Sequence, residues 1–267
     1  MDLHLDGKTA IVTGGGSNIG RAVVHRFAEE KAKIVIAEYD EKQGKAVEAE
    51  LKAKGADVLL VNTDVTDNDQ VVAMVKKAND TFGPIDILVN NVAGFGGNYH
   101  DQLFIEEVRE KWEGTIACTY MSVINCTRAV LDQMIEQKSG SIVNLGSDAG
   151  RMGEYREAVY SGAKGAVISF TKAIAREVGK FGIRLNVVCP GLTVPASEEM
   201  IGDKSAWAGG MIKIFDEAGR AKAAKSYPLR KLGKADDLAD AIVFIASDCA
   251  GHITGQTLSV SGGYTMM

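Results

Sequence analysis

Short apolar runs alternate with amphipathic helical stretches along this chain, and that rhythm limits its fold more than any single residue does. The runs are Thr9–Thr13, Ile34–Ala37, Val58–Val61, Ile85–Val89, Ser141–Leu145, Ile183–Val188 and Thr257–Val260. Helical patterns separate them, over about Asn18–Lys31, Glu41–Lys54 (ending at Gly55), Asp67 to Phe82 with Asp67 as N-cap, Glu106–Gln137, Val159–Lys180 and Asp236–Ser247. Strands apolar on both faces must be covered on both faces, and parallel strands need crossover helices. The chain is therefore expected to be α/β, a single doubly wound Rossmann-type domain over residues 1–267 with a seven-stranded parallel sheet. Its ligand crevice is expected at the carboxyl ends of the strands. Val194–Tyr227 breaks the rhythm, mixing Gly202, Gly209 and Gly210 with Met200, Trp207, Met211 and Phe215. That stretch reads as an inserted, partly helical substrate lid.

Composition narrows the partners. A formal net charge of −5 and a pI of about 5.5 argue against nucleic acid and anionic membranes. No apolar run approaches the roughly 18 residues of a membrane span, and the start, Met1–Asp6, is acidic where a signal peptide is basic. Cys118, Cys126, Cys189 and Cys249 form no CxxC pair and read as reduced thiols of a cytoplasmic protein. His4, His25, His100 and His252 are scattered, so no metal is expected.

Two constellations carry chemistry. Between the first strand and helix lies Thr13-Gly14-Gly15-Gly16-Ser17-Asn18-Ile19-Gly20. Glycines let backbone approach a pyrophosphate, and the helix start offers open N–H groups. Glu38 ends the second strand, 18 residues past Gly20, where a ribose 2′-hydroxyl needs an acceptor. Glu38 would repel a 2′-phosphate, and no Lys or Arg lies between Gly14 and Gly20, so NAD is the expected cofactor. The second constellation is Ser147, Tyr160 and Lys164. The four-residue spacing puts Tyr160 and Lys164 on one helix face, where an ammonium favours the phenolate.

With these motifs the chain resembles the short-chain dehydrogenase/reductase family over essentially its whole length. The resemblance implies that Ser147, Tyr160 and Lys164 are catalytic. It implies cofactor contacts from Gly14, Ser17, Asn18, Ile19, Glu38, Asp64, Val65, Asn91, Tyr160, Lys164, Pro190, Gly191 and Thr193. Leu232–Asp237, Ile253–Gln256 and Ser261–Gly263 match the family's C-terminal landmarks. There are departures. Asn18 replaces the middle glycine of the turn, a substitution that asparagine's tolerance of left-handed backbone permits. Thr119 stands where the family has a catalytic asparagine that holds a relay water, and it is counted with the catalytic set. Pro195 stands where a threonine usually contacts the cofactor, with Thr193 two residues earlier.

The resemblance implies an NAD-dependent oxidoreductase that interconverts a secondary alcohol and a ketone, working on a small-molecule substrate as a homotetramer built through its two long helices. Ser147-Asp148-Ala149-Gly150-Arg151, Glu157–Tyr160 and Leu258–Gly263 are similar to dehydrogenases of alicyclic hydroxyacyl-CoA thioesters, such as 2-hydroxycyclohexanecarboxyl-CoA dehydrogenase. A CoA thioester substrate is therefore expected, with Lys213, Arg220, Lys222 and Lys225 as candidates for the CoA phosphates. The alternatives are a 3-oxoacyl-carrier-protein reductase, a group that usually uses NADPH, a sugar or polyol dehydrogenase, and a dinucleotide-binding subunit without turnover.

Overall fold

A computed structural model describes residues 2–94, 102–205, 207–208 and 211–267; His100, Gly209 and Gly210 lie outside the described residues. Seven parallel strands form one sheet in the order β3-β2-β1-β4-β5-β6-β7. They are β1 (Thr9–Thr13), β2 (Lys33–Glu38), β3 (Val58–Asn62), β4 (Ile87–Asn90), β5 (Gly140–Leu145), β6 (Ile183–Pro190) and β7 (Thr257–Val260). The crossovers contain α1 (Asn18–Glu29), α2 (Glu41–Ala53), α3 (Asn68–Phe82), α4 (Arg109–Ile116), α5 (Ser122–Gln137), α6 (Ala149–Met152), α7 (Ala158–Val178), α8 (Glu217–Ala224) and α9 (Ala235–Ala246).

The sheet explains why the strand runs are continuously apolar. Along β1, Ala10 and Val12 face one core while Ile11 faces the other; along β2, Ile34 and Ile36 alternate in the same way with Val35 and Ala37. One core packs against Val23, Phe27, Leu51 and Ile242 of α1, α2 and α9. The other packs against Met74, Val130, Met134 and Ala175 of α3, α5 and α7. Strand β1 pairs with β2 on one side and β4 on the other. The chain therefore winds in opposite directions from β1, and a crevice opens beyond the carboxyl ends at that point.

Two local features depart from the sequence reading. The expected helix over Glu106–Gln137 is divided: α4 and α5 are joined by a π-turn, Ala117–Met121. Such turns insert an extra residue and redirect side chains. Here Ser122 Oγ donates to the Cys118 carbonyl at 2.6 Å, and Thr119 is turned inward to full burial. The second is α6, whose four residues are too few to show helical periodicity in sequence.

A buried polar chain ties the sheet together below the crevice. Asn90 Nδ2 donates to Asn144 Oδ1 at 2.8 Å and to Thr127 Oγ1 at 3.2 Å. Asn144 Nδ2 donates to Thr171 Oγ1 at 2.8 Å. These links join β4, β5, α5 and α7. Unpaired, such groups cost about 1–3 kcal/mol each. Asn144→Ala takes one partner from each neighbour, although Asn90 keeps Thr127 and Thr171 keeps the Val167 carbonyl, and is expected to remove about 1–3 kcal/mol of unfolding free energy. The check is the urea midpoint; a change within error would contradict this role for Asn144.

Candidate active site

The dinucleotide end is built from the turn after β1. Gly14 has φ +64°, and a Cβ on Gly20 would lie 2.0 Å from the Gly14 carbonyl oxygen. Only glycine at position 20 lets α1 start pressed onto the turn. Asn91 Nδ2 donates to the carbonyls of Thr13 and Gly14, at 3.0 and 3.1 Å, so the amide shapes the turn from beneath. Asn18 takes φ 40°, the left-handed conformation its substitution for glycine requires. Its side chain donates to the Thr193 carbonyl at 3.4 Å, which ties the turn to the loop after β6. Ser17 stands at the N-cap of α1 without a capping hydrogen bond. The first-turn N–H groups therefore stay open to an anion.

Glu38 is largely buried beside this turn. Its Oε2 accepts from the Gly16 N–H at 2.8 Å, and its Oε1 accepts from the N–H groups of Tyr39 and Asp40 at 2.8 and 3.0 Å. The carboxylate is thus locked in position; Oε1 is served twice, and Oε2, with one donor, keeps lone-pair capacity. Asp64 Oδ1 accepts from the N–H and hydroxyl of Thr66, which shapes the loop after β3; Asn125 donates to the Val65 carbonyl and holds it from α5.

The reactive end is held by α6 and α7. A Cβ on Gly150 would lie 2.7 Å from Lys164, so the bare glycine lets α6 seat directly on α7. That contact brings Ser147 to the helix carrying Tyr160 and Lys164, and the Ser147 and Tyr160 side chains are hydrogen-bonded. The Lys164 ammonium lies 5.8 Å from the Tyr160 ring centre. It donates to the Leu145 carbonyl at 2.6 Å and is 2% exposed. Burial pulls Lys164 down to about 8. Burial also pushes the Tyr160 phenol up, the Glu157 charge adds to this, and the Ser147 hydrogen bond opposes it. Desolvation favours the neutral form of both groups.

Every candidate cofactor contact lines one cleft of about 1020 Å³, together with Ser147, Tyr160 and Lys164. Thr119 is the exception. Its hydroxyl donates to the Gly94 carbonyl at 3.0 Å, and it accepts weakly from the Gly94 N–H at 3.4 Å. It pins the loop after β4 and does not lie on the cleft wall. The open helix start, the glycine cradle and the fixed acid at the end of β2 together fit a dinucleotide. Among the described residues no group of His, Cys, Asp and Glu could hold a metal ion, and no helix is long and apolar enough to cross a membrane.

The lid reaches further than expected. Trp207 and Phe215 pack edge to face at 5.7 Å near the substrate end, where Tyr227 and Tyr264 stack at 4.9 Å. Glu154 accepts from the Tyr264 hydroxyl at 2.9 Å on the same wall. At the adenine end, the Lys204 ammonium sits 3.6 Å over the Tyr39 ring, and Gln43 donates to the Ile201 carbonyl. Sequence reading missed Lys204, because its partner lies far away in the chain. Arg220, a candidate for the CoA phosphates, is partly engaged within the lid. Its Nε donates to the Phe215 carbonyl at 2.8 Å and an η nitrogen to that of Pro195 at 3.0 Å, so the guanidinium braces the lid.

Comparison with known proteins agrees with this geometry. A family model described as short chain dehydrogenase matches residues 8–205. The chain is 35% identical over 260 residues to the 3-oxoacyl-[acyl-carrier-protein] reductase FabG of Staphylococcus aureus, covering 97% of this chain and 98% of the relative. It is 34% identical over 265 residues to the FabG reductase of Escherichia coli K12, covering 99% and 100%.

The buried lysine has a measurable consequence. Holding Lys164 at about 8 against an ordinary 10.5 opposes the charged form by about 3 kcal/mol. That penalty on folding is complete below the folded value and fades as pH rises toward the unfolded one. Lys164→Met is expected to melt above the parent near about pH 7, with the difference shrinking between pH 8 and 10.5. Calorimetry across that range checks it; a difference independent of pH contradicts it.

Proposed function

The chain belongs to the short chain dehydrogenase family and is an oxidoreductase, and from that premise we propose that it interconverts a secondary alcohol and a ketone with NAD. The observation that carries this reading is the convergence of Ser147, Tyr160 and Lys164 with the glycine turn in one cleft. A bound nicotinamide supplies the hydride acceptor or donor. Ser147 hydrogen-bonds the substrate oxygen as charge develops on it. Tyr160, held neutral by burial, gives that oxygen its proton in the reducing direction and takes it back in the other. Lys164 holds the ribose and connects the phenol to an exchangeable proton. Thr119 acts at one remove, by fixing the loop at Gly94 beside the cleft.

The locked carboxylate of Glu38 supports NAD over NADP, since it faces the position of a 2′-phosphate with its charge. Lys204 is the one cation among the described residues that lines the adenine end, and it opposes that preference. For the substrate, the aromatic wall of Trp207, Phe215, Tyr227 and Tyr264 suits a ring or acyl chain. Relatives named as 3-oxoacyl-[acyl-carrier-protein] reductases support an oxoacyl or hydroxyacyl thioester, including the ring-borne CoA thioesters suggested by the sequence. With Arg220 committed to the lid, the thioester's phosphates would meet Lys222 and Lys225, both exposed on or beside α8. The four free cysteines support a reducing, cytoplasmic setting. A homotetramer is supported by apolar side chains left exposed at the end of α4 and in the π-turn before α5, Ile116 at 42% and Met121 at 43%.

The test is nicotinamide turnover with a panel of secondary alcohols, hydroxyacyl-CoA thioesters and their ketones. Turnover with NAD is expected, with Tyr160→Phe losing most of it. Glu38→Ala should weaken NAD and narrow its advantage over NADP; comparable kcat/KM for both cofactors in the parent would refute the NAD assignment. Thr119→Ala is expected to cost less than about tenfold in kcat, under about 1.4 kcal/mol of barrier. A loss as large as that of Tyr160→Phe would make Thr119 a full member of the catalytic set. A monomeric mass by light scattering would refute the tetramer.

A further inference from the structure

Asp148 follows Ser147 directly and has no part in the chemistry described so far. It lies on the wall of the same cleft and is 2% exposed. Both carboxylate oxygens lie within reach of a single donor, the Ser259 hydroxyl, at 2.8 and 2.9 Å. One hydroxyl gives its proton to one oxygen at a time, so an acceptor with about four lone-pair sites is served by one hydrogen. Ser261 Oγ, 2.8 Å from Ser259 Oγ, supports that hydroxyl from β7's end. A buried carboxylate so thinly served is costly unless a positive charge comes to it.

Geometry says which charge can come. Hydride moves to or from a carbon whose oxygen is held by Ser147 and Tyr160, so the nicotinamide ring must lie beside them. The Asp148 N–H donates to the Pro190 carbonyl at 3.2 Å, which places Asp148 against the carboxyl end of β6, where Pro190 lines the cleft. That ring is cationic when oxidised and neutral when reduced. Burial pushes Cys189 and Tyr227 up and the charge of Asp148 adds to both, while the cations Lys164 and Arg151 at this end oppose it at Cys189. The field of Asp148 therefore reaches the cleft. Glu154 and Glu157 add negative charge on the substrate side of the same wall.

We infer that Asp148 is a specificity-determining charge which makes the cleft bind the oxidised nicotinamide more tightly than the reduced one. The inference rests on the dinucleotide reading given above. Its consequence is directional. Tighter binding of the oxidised form makes the bound reduced form a stronger hydride donor. A bound reduced nicotinamide would supply one proton and two electrons as hydride to the carbonyl carbon, Tyr160 would give its proton to the oxygen, and Asp148 would offset the positive charge left on the oxidised cofactor as the alcohol forms. Carbonyl reduction is the favoured step on the protein.

The test is equilibrium binding, without turnover. Dissociation constants of NAD+ and NADH are measured by titration calorimetry for the parent, Asp148→Asn and Ser259→Ala. Asp148→Asn keeps the shape and the acceptor oxygen but removes the charge, and is expected to shift the NAD+/NADH affinity ratio toward NADH by about tenfold, an order that one nearby unit charge can supply. Ser259→Ala leaves the charge with less compensation and is expected to keep the ratio or move it toward NAD+. If Asp148→Asn weakens both forms equally, or leaves the ratio within about twofold, Asp148 is only a structural acid and the inference falls. If neither NAD+ nor NADH binds the parent, the NAD assignment has failed instead, and the same ratio is read with NADP+ and NADPH.

Discussion

The arrangement depends on one constraint, the reversal of winding at β1. Parallel strands end at the same edge of a sheet, so every loop that follows a strand meets there. Because β1 lies between β2 and β4, the loops after it diverge and leave a crevice that no crossover covers. The glycine turn, the acid at the end of β2, the loop pinned by Asn91 and the serine after β5 are all loop or strand-end residues brought to that edge. The buried chain through Asn90, Asn144 and Thr171 fixes the strands beneath, so the rim is carried on a rigid base.

The chemistry at the rim is set largely by desolvation. Lys164 is buried with a backbone carbonyl as its acceptor, and Tyr160 is held neutral beside it. Stability and function pull in opposite directions here: the cleft carries an ammonium and an under-served carboxylate that an apolar core would omit. Placing both within one pocket around the reacting atoms gives them a use that packing alone does not explain.

Much of this was legible in the sequence, for definable reasons. Strand runs such as Ile34–Ala37 are apolar throughout because two cores flank one sheet. The glycine turn and the Tyr160–Lys164 spacing are local patterns, and local patterns survive reading in one dimension. What stayed hidden depends on contacts between distant segments. Periodicity carried Glu106–Gln137 as one helix because a π-turn leaves apolar spacing nearly unchanged, yet it is this turn that aims Thr119 at Gly94. The bonds of Arg220 within the lid were hidden because its partners are backbone carbonyls, which no side-chain pattern announces. Lys204 over Tyr39 and Asp148 beside Ser259 are likewise pairings across 165 and 111 positions of sequence. At Tyr160, spacing reveals the neighbouring ammonium, whereas the burial that pushes the phenol up appears only in three dimensions.

The central claim is that hydride passes between a nicotinamide and a substrate carbon held by Ser147 and Tyr160. The most direct measurement uses a secondary alcohol or hydroxyacyl thioester that the protein turns over, deuterated at the carbinol carbon, with mass spectrometry of the recovered cofactor after a single turnover. The account predicts one deuterium on the reduced nicotinamide from the parent protein and little or none from Tyr160→Phe with cofactor still bound. Substrate oxidised without label on the cofactor, or equal labelling by the two proteins, would contradict it.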